Sequence, residues 1–369
     1  MAIGLSLLWL PAPRSSRAAV KYGFVRLTRG EEIEQLGASE RAPVANRRAG
    51  FQPAPQGTAA VRTAEFFVDM HNAWLHRYTV VVAFCTLLLV VAGGLVTSND
   101  AGLSVPDWPL SYGKLMPPME GGIRFEHGHR MVATTVGLLT IILAIWLWRA
   151  DTRRWMRRLG WIALAAVIAQ GLLGGMTVIF LLPKPVSISH ACLAQLFFST
   201  TVSIALFTSA EWRKELPVTE DSGAPSLHAL ATAVPLCVLA QLALGAAARH
   251  QALGILPHAI GASVVTGMIL WIVIRVLIRH AEHTPLRRSA LFLLVISISQ
   301  VFLGIAAYMS RIATIDAPQP MAVMVGFTVA HVAVGALTMA ASVVMAVEVF
   351  RYVRRPAVEL APGGVTVTS

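Results

Sequence analysis

Hydrophobic residues in this chain are gathered into eight long runs, and polar residues are confined to the short segments between them. Each run is close to the roughly 20 apolar residues that a helix needs to cross a bilayer. The pattern predicts an all-α polytopic membrane protein with eight transmembrane helices. The predicted cores are Tyr78–Thr97, Met131–Trp148, Trp161–Leu182, Val186–Ala210, Leu227–Ala248, His258–Ile274, Ala290–Ser310 and Met321–Val347.

Composition supports this class of protein. Of the 369 residues, 56% are hydrophobic and only 13% are charged, about half the charged share of a soluble domain. The net charge of +11 does not indicate nucleic-acid binding, because the arginines lie in loops between apolar runs. Three cysteines lie inside apolar runs without metal-ligand spacing and are interpreted as small buried hydrophobes: Cys85, Cys192 and Cys237.

The distribution of Lys and Arg predicts the orientation. Basic residues are concentrated in the second, fourth and sixth connections and after the last run, as the cytoplasmic side of a membrane protein requires. We therefore expect a multi-pass protein of the bacterial cytoplasmic (inner) membrane with both termini in the cytoplasm. The apolar helices would be surrounded by membrane lipid, and the protein could form a homo-oligomer.

Two similar halves account for the order of the motifs. Gln170-x₃-Gly174 and Gln300-x₃-Gly304 each lie one run before a run that contains a histidine. This repetition predicts two pseudo-symmetric four-helix bundles related by an axis along the membrane normal. The predicted parts are an extension (1–69), an N-terminal half (70–212), a cytoplasmic linker (213–225), a C-terminal half (226–352) and a cytoplasmic tail (353–369). The extension is interpreted as disordered or as an over-called start before Met70, rather than as a transit peptide, because it contains acidic residues.

One histidine lies at or near the start of every second run, so all four can lie toward the same side of the membrane, with His331, about ten residues into its run, the poorest fit. Imidazoles on facing helices are a common way to hold a haem iron, whereas a lone intramembrane histidine is as often a hydrogen-bonding group between helices. The repetition favours the metal-ligand interpretation. The four candidate ligands are His129, His190, His258 and His331.

A carboxylate precedes the first of these histidines. Glu126 and His129 would project from one face if the second helix begins by residue 126. A carboxylate in a first helical turn is favourable in any case. The functional alternative is a group beside a bound macrocycle that accepts a proton or stabilises positive charge. Arg130 is a candidate for pairing with a haem propionate or for anchoring at the interface, and His127 is expected to be solvated.

The connection after the first run is long and rich in Gly, Pro and Trp, which predicts an ordered loop at the membrane surface. It reads Gly-Leu-Val-Thr followed by Ala-Gly-Leu-Ser-Val-Pro-Asp-Trp-Pro-Leu-Ser-Tyr-Gly. Together with Glu126-x-x-His129-Arg130, Ser189-His190 and Ala330-His331-Val-Ala, it resembles the haem A synthase family over roughly residues 72–352.

The resemblance implies oxidation of the C8 methyl of haem O to a formyl group, giving haem A for terminal oxidases. It implies that His258 and His331 ligate a haem b cofactor, whereas His129 and His190 hold the haem being oxidised beside the catalytic Glu126. The active site would then face the outer side of the membrane. A haem O synthase and terminal oxidase assembly factors are the expected partners, and no nucleic acid is expected.

The sequence departs from the family's loop pattern in one respect, and two alternative functions are considered. Many members of the family have two cysteines flanking Pro-Asp-Trp-Pro, where this chain has Val105 and Ser111, so no disulfide can form in that loop. A bis-histidine electron-transfer cytochrome b is the first alternative, although no single run has two histidines 13–14 residues apart. A transporter with intramembrane histidines is the second, although the middle of the runs is nearly free of charged residues.

Overall fold

The structure, a computed structural model, describes residues 59–355, with side chains described from residue 73. Residues 1–58 of the predicted extension (1–69) and the tail beyond residue 355 lie outside the described residues. Residues 59–69 are helical, because they form the first turns of α1, so this part of the predicted extension is not disordered. The helices are α1 (Ala59–Ser98), α2 (Ile123–Ala150), α3 (Arg154–Ile179), α4 (Lys184–Thr208), α5 (Ala210–Arg213), α6 (Leu227–Arg249), α7 (Ile255–Arg279), α8 (Thr284–Ala313) and α9 (Ala322–Tyr352), and two short strands are β1 (Thr219–Glu220) and β2 (Val353–Arg354).

The prediction of an all-α polytopic membrane protein is confirmed. Eight of the described helices, all except the four-residue α5, are long and apolar enough to cross a membrane. Most begin a few residues before the apolar core predicted from sequence, because polar first turns are helical without being hydrophobic. The difference matters at α2, which begins at Ile123 and therefore carries Glu126 in its first turn.

The long helices form two bundles of four. Helices α1, α2, α3 and α4 pack in a ring, and α6, α7, α8 and α9 form a second ring. Each bundle has its own apolar core, built around fully buried residues such as Val136 and Phe197 in the first and Ile272 and Leu293 in the second. The bundles meet where α9 packs against α1 and α4, and where α4 packs against α6.

The segment between the bundles is more structured than a linker. Strand β1 pairs in parallel with β2, which follows α9 directly, so this segment is attached to the end of the chain's last long helix. Asp221 and Arg275 form a buried ion pair at 2.8 Å, and Arg275 also donates to the carbonyl of Pro225. Sequence periodicity cannot reveal a two-residue strand, since it contains no full period.

Candidate functional site

One large cavity of the described residues is lined by helices of both bundles. It has a volume of about 2210 Å³ and is lined mainly by apolar side chains of the long helices. All four predicted histidine ligands and Glu126 line it. A large apolar cavity with a few convergent polar groups is the usual form of a cofactor site.

Each of the four histidine rings lies against a glycine of the preceding long helix. A Cβ atom built on these glycines would approach the Cε1 atom of the ring to 3.2 Å or less, where ordinary contact begins at 3.4 Å. The positions therefore require glycine if the rings are to keep their places. The pairs are Gly93 with His129 (3.2 Å), Gly174 with His190 (3.2 Å), Gly245 with His258 (2.9 Å) and Gly304 with His331 (2.8 Å).

The rings of the C-terminal pair have the separation that one iron requires. The centroids of His258 and His331 are 6.3 Å apart and their planes are nearly perpendicular, at 89°. A metal–imidazole bond is about 2.0–2.1 Å long, so rings on opposite sides of one metal ion have centres roughly 6 Å apart. The two side chains therefore fit axial ligation of a haem iron, and their ligand helices α7 and α9 come from the same bundle.

The N-terminal pair lines the other part of the same cavity. His129 on α2 and His190 on α4 both line it, and their helices belong to one bundle. The described residues hold no group of three or more His, Cys, Asp or Glu side chains that would bind a bare metal ion. A haem brings its own equatorial ligands and needs only two side chains of this kind.

Glu126 is held in a fixed position beside His129. The side chain is 4% exposed; its Oε2 accepts a hydrogen bond from the Val105 N–H at 2.8 Å, and its Oε1 forms an ion pair with Arg130 at 2.6 Å. A carboxylate has about four lone-pair positions on its two oxygens, so both oxygens can accept further contacts. Glu126 lines the cavity and can therefore approach a bound molecule while remaining anchored.

Arg130 also fixes the loop between α1 and α2. Its guanidinium donates to the carbonyls of Asp107 and Leu110, both at 2.7 Å, as well as to Glu126. The predicted contact of Arg130 with a haem propionate stays a prediction; in the structure the arginine joins the loop to the carboxylate. The Asp107 carboxylate accepts from the N–H groups of Gly113 and Tyr112, and these bonds hold its pKa below the ordinary value.

The two loop positions at which the family resemblance led us to expect cysteines, Val105 and Ser111, are both buried. Val105 supplies the N–H that binds Glu126, and the Ser111 hydroxyl forms a 2.8 Å hydrogen bond with Nδ1 of His127. The expectation that His127 is solvated is wrong, because its side chain is 6% exposed beneath the loop. Trp108 of the same loop packs against Gly175 of α3 and lines the cavity. Hydrogen bonds and packing therefore hold this loop over the cavity.

Basic side chains stand at the same end of the cavity as the loop. Arg249, at the end of α6, lines the cavity and donates to the carbonyl of Thr97 at 2.5 Å. Arg311, at the end of α8, lines it as well. Since these cations adjoin an otherwise apolar cavity, they are suited to carboxylate groups on a bound molecule.

Sequence reasoning missed a set of glutamines beside the histidines. The sequence repeat predicts Gln170 and Gln300 as equivalent positions but does not predict that they adjoin the rings. Gln241-x₃-Gly245 has the same spacing and is a third copy of that repeat. The amide nitrogen of Gln241 lies 2.9 Å from Nδ1 of His258. Searching the whole chain for the repeat would have found it.

The sequence of this chain matches a protein-family model. A model of the family COX15-CtaA, described as cytochrome oxidase assembly protein, matches residues 76–124 and 123–257. The matched region covers the N-terminal bundle with Glu126, His129 and His190. It ends one residue before His258, so the ligand assignment of the C-terminal bundle depends on its geometry.

Curated relatives named heme A synthase agree with the family match. The chain is 31% identical to the protein of Alkalihalophilus pseudofirmus over 149 residues, 39% of this chain and 50% of that protein. It is 36% identical to that of Shouchella clausii over 138 residues, 36% of this chain and 45% of that protein. It is 28% identical to that of Symbiobacterium thermophilum over 250 residues, 59% of this chain and 80% of that protein. The first two matches thus span half or less of those relatives.

Proposed function

We propose that the chain is a member of the haem A synthase family and that it converts haem O to haem A by oxidising the C8 methyl group to a formyl group; the match to the COX15-CtaA family model and the curated heme A synthases support this. Of the four candidate histidine ligands that line the cavity, His129 alone has a carboxylate one helical turn before it. This asymmetry supports the proposal, since a pair of equivalent electron-transfer haems would need no such group.

The substrate haem would lie between His129 and His190. Its macrocycle would occupy the apolar part of the cavity, and its propionates would extend toward the end where Arg249 and Arg311 stand. The loop containing Trp108 would cover it from that end. Excluding water in this way strengthens electrostatic interactions inside the site.

Glu126 would act at the methyl carbon. Conversion of the methyl group to a formyl group with water as the source of oxygen would release four protons and four electrons in total, and positive charge develops on the carbon as electrons leave. A fixed carboxylate stabilises such charge and can accept the proton that is released. The hydrogen bond from Val105 and the ion pair with Arg130 keep the carboxylate in place. Its remaining lone pairs are still available as acceptors.

The C-terminal bundle would hold the cofactor. His258 and His331 have the separation of axial ligands, and haem b bound there would supply an acceptor for electrons leaving the substrate. The orientation follows from the positive-inside rule: both termini are cytoplasmic and the cavity opens toward the outer face. A haem O synthase would be the partner that supplies the substrate.

The test uses membranes that produce haem O and contain either the unaltered protein or Glu126→Gln. The extracted haems are separated by chromatography and identified by mass spectrometry. We expect haem A with the unaltered protein, and haem O or a hydroxylated intermediate with Glu126→Gln, while both proteins retain their haem spectra. Normal haem A output from Glu126→Gln would refute the role given to this carboxylate.

A further inference from the structure

The cavity continues past the histidines of the N-terminal bundle along a seam between α2 and α3. Gly137 on α2 lies eight residues after His129, which places it about 12 Å farther from the loop that covers the cavity. Ile141 is 43% exposed and Ile168 is 56% exposed, so the seam opens toward the surrounding lipid. The residues of this α2–α3 seam are apolar and line the cavity: Gly137, Ile141, Leu164, Ile168 and Gly171.

The two glycines of the seam do not serve helix packing. In membrane helices a glycine usually lets two backbones approach closely. A Cβ atom built on Gly137 or Gly171 would meet nothing within 4 Å, in contrast to the glycines beneath the histidine rings. These two positions therefore leave room in the cavity that the protein's own side chains do not fill.

The C-terminal bundle has side chains at the equivalent positions. The residue eight positions after the histidine ligand is Gly137 on α2 but Thr266 on α7. The residue that follows the glutamine of the Gln-x₃-Gly repeat is Gly171 on α3 but Val301 on α8. Thr266 and Val301 also line the cavity, so the equivalent space is narrower in the C-terminal bundle.

A buried glutamine is a further difference between the two bundles. Gln195 on α4 lines the cavity five residues after His190, and its side chain is 6% exposed. Its Oε1 atom is buried and has no hydrogen-bond partner among the described residues. The residue five positions after His331 is Ala336, which has no polar side-chain atom. A buried amide oxygen without a partner is costly, so a hydrogen-bond donor on a bound molecule would be favoured beside Gln195.

These differences correspond to the chemical differences between haem O and protohaem, the haem b of the proposed cofactor site. Haem O has a long isoprenoid side chain with a hydroxyl group at the position where protohaem has a vinyl group. That position lies on the pyrrole opposite one of the two propionate-bearing pyrroles. With the propionates toward Arg249 and Arg311, the chain would extend away from the covering loop, in the direction that the α2–α3 seam takes.

We propose that the α2–α3 seam, with Gly137 and Gly171, is the subsite for the isoprenoid chain of haem O, and that Gln195 accepts a hydrogen bond from its hydroxyl group. Thr266 and Val301 fill the equivalent space of the C-terminal bundle, which therefore takes a haem without the chain. The inference rests on the proposed function, and it assigns haem O to the N-terminal bundle without reference to the catalytic carboxylate.

The first experiment measures the affinity of the N-terminal site for haem O and for protohaem by titration. It uses the full chain with His331→Ala, which removes the C-terminal site from the measurement. Gly137→Thr combined with Gly171→Val should weaken haem O binding by about tenfold or more, because the added side chains occupy the space of the chain, and should leave protohaem binding unchanged. An equal effect on both haems would overturn the assignment of the chain to this seam.

A matched control and a second substitution complete this experiment. Gly267→Val is the control, because Gly267 lines the cavity on α7 and a Cβ there also meets nothing within 4 Å; it should leave both affinities of the N-terminal site unchanged. Gln195→Ala removes one hydrogen bond and should weaken haem O binding by about two- to tenfold, whereas protohaem has no hydroxyl group and should bind as before. Unchanged haem O binding by Gln195→Ala would overturn the contact with the hydroxyl group.

The second experiment enlarges the C-terminal bundle, and it does not depend on the folding of the N-terminal variants. In the full chain with His190→Ala, only the C-terminal site is measured. Thr266→Gly combined with Val301→Gly should strengthen haem O binding there by about tenfold and leave protohaem binding unchanged. An unchanged affinity for haem O would overturn the proposal that these side chains exclude the isoprenoid chain.

The subsite and the proposed oxidation fail in different ways. If the unaltered N-terminal site binds haem O and protohaem equally well, the subsite is wrong, whether or not haem A is formed. If that site prefers haem O but membranes with the protein form no haem A, the oxidation is wrong and the subsite stands. If it binds neither haem, both are wrong.

Discussion

The distances between the histidine rings and the glycines beneath them predict how much haem affinity each glycine-to-alanine substitution should cost. Replacing Gly304 or Gly245 by alanine places a methyl group 2.8 or 2.9 Å from the ring, so the ring must retreat by about 0.6 or 0.5 Å to reach ordinary contact at 3.4 Å. At Gly93 and Gly174 the approach is 3.2 Å, and the required retreat is only about 0.2 Å. Ligand distances in metal sites vary by about 0.2 Å, so only the first two substitutions exceed what a bound iron tolerates.

The expected results differ between the free and the haem-bound protein. Without haem the ring can rotate away, so the melting temperatures of the Gly304→Ala and Gly245→Ala apoproteins should stay near that of the unaltered apoprotein. With haem the ring cannot move, and affinity for haem b should fall on the order of 10–100-fold. Gly93→Ala and Gly174→Ala should cause a smaller loss of haem affinity, because their rings need to move less.

Haem titration of the purified apoproteins measures these effects. Gly326→Ala on α9 and Gly267→Ala on α7 are matched controls, because a Cβ at either glycine meets nothing within 4 Å. The reasoning is refuted if Gly304→Ala binds haem b as tightly as Gly326→Ala does. It is also refuted if all four ring-facing glycines give equal losses.

Three other predictions concern the ligands, the loop and the linker. His331→Ala should remove the haem b absorbance of the C-terminal site, and retention of the full spectrum would exclude the pairing with His258. Arg130→Lys keeps the charge but cannot supply the donors that join Asp107, Leu110 and Glu126, so haem A formation should fall while haem b content, measured in the same preparation, stays constant; unchanged formation would contradict this role. Asp221→Asn leaves Arg275 without its anionic partner and should destabilise the protein by roughly 3–5 kcal/mol in detergent unfolding curves; an unchanged unfolding curve would contradict this. Burial raises the pKa of Asp221, but hydrogen bonds from Leu227 and Arg275 outweigh it and hold the pKa below its ordinary value, so this contribution should be lost only as the pH falls into the acidic range.

The membrane fold could be predicted from sequence because hydrophobic run length reports directly on membrane helices. The candidate site residues were predicted from spacing and resemblance, and the structure places Glu126 and the four histidines around one cavity. Helix boundaries were less accurate, since the polar first turn of α2 is not distinguished from a loop by hydrophobicity.

Contacts between distant segments could not be predicted. The hydrogen bond of Ser111 with His127 and the placement of Gln241 beside His258 depend on how the loop and the helices pack. The pairing of β1 with β2 depends on residues more than a hundred positions apart. A single sequence contains the side chains for these contacts but does not show which of them meet.

The most direct test of the central claim is mass analysis of haems extracted from membranes that make haem O, with and without this protein. Haem A, or a hydroxylated haem O, should appear only when the protein is present. Haem O alone, together with a bis-histidine b-type spectrum on the purified protein, would contradict the claim and favour an electron-transfer cytochrome. Purified protein without any haem would contradict both.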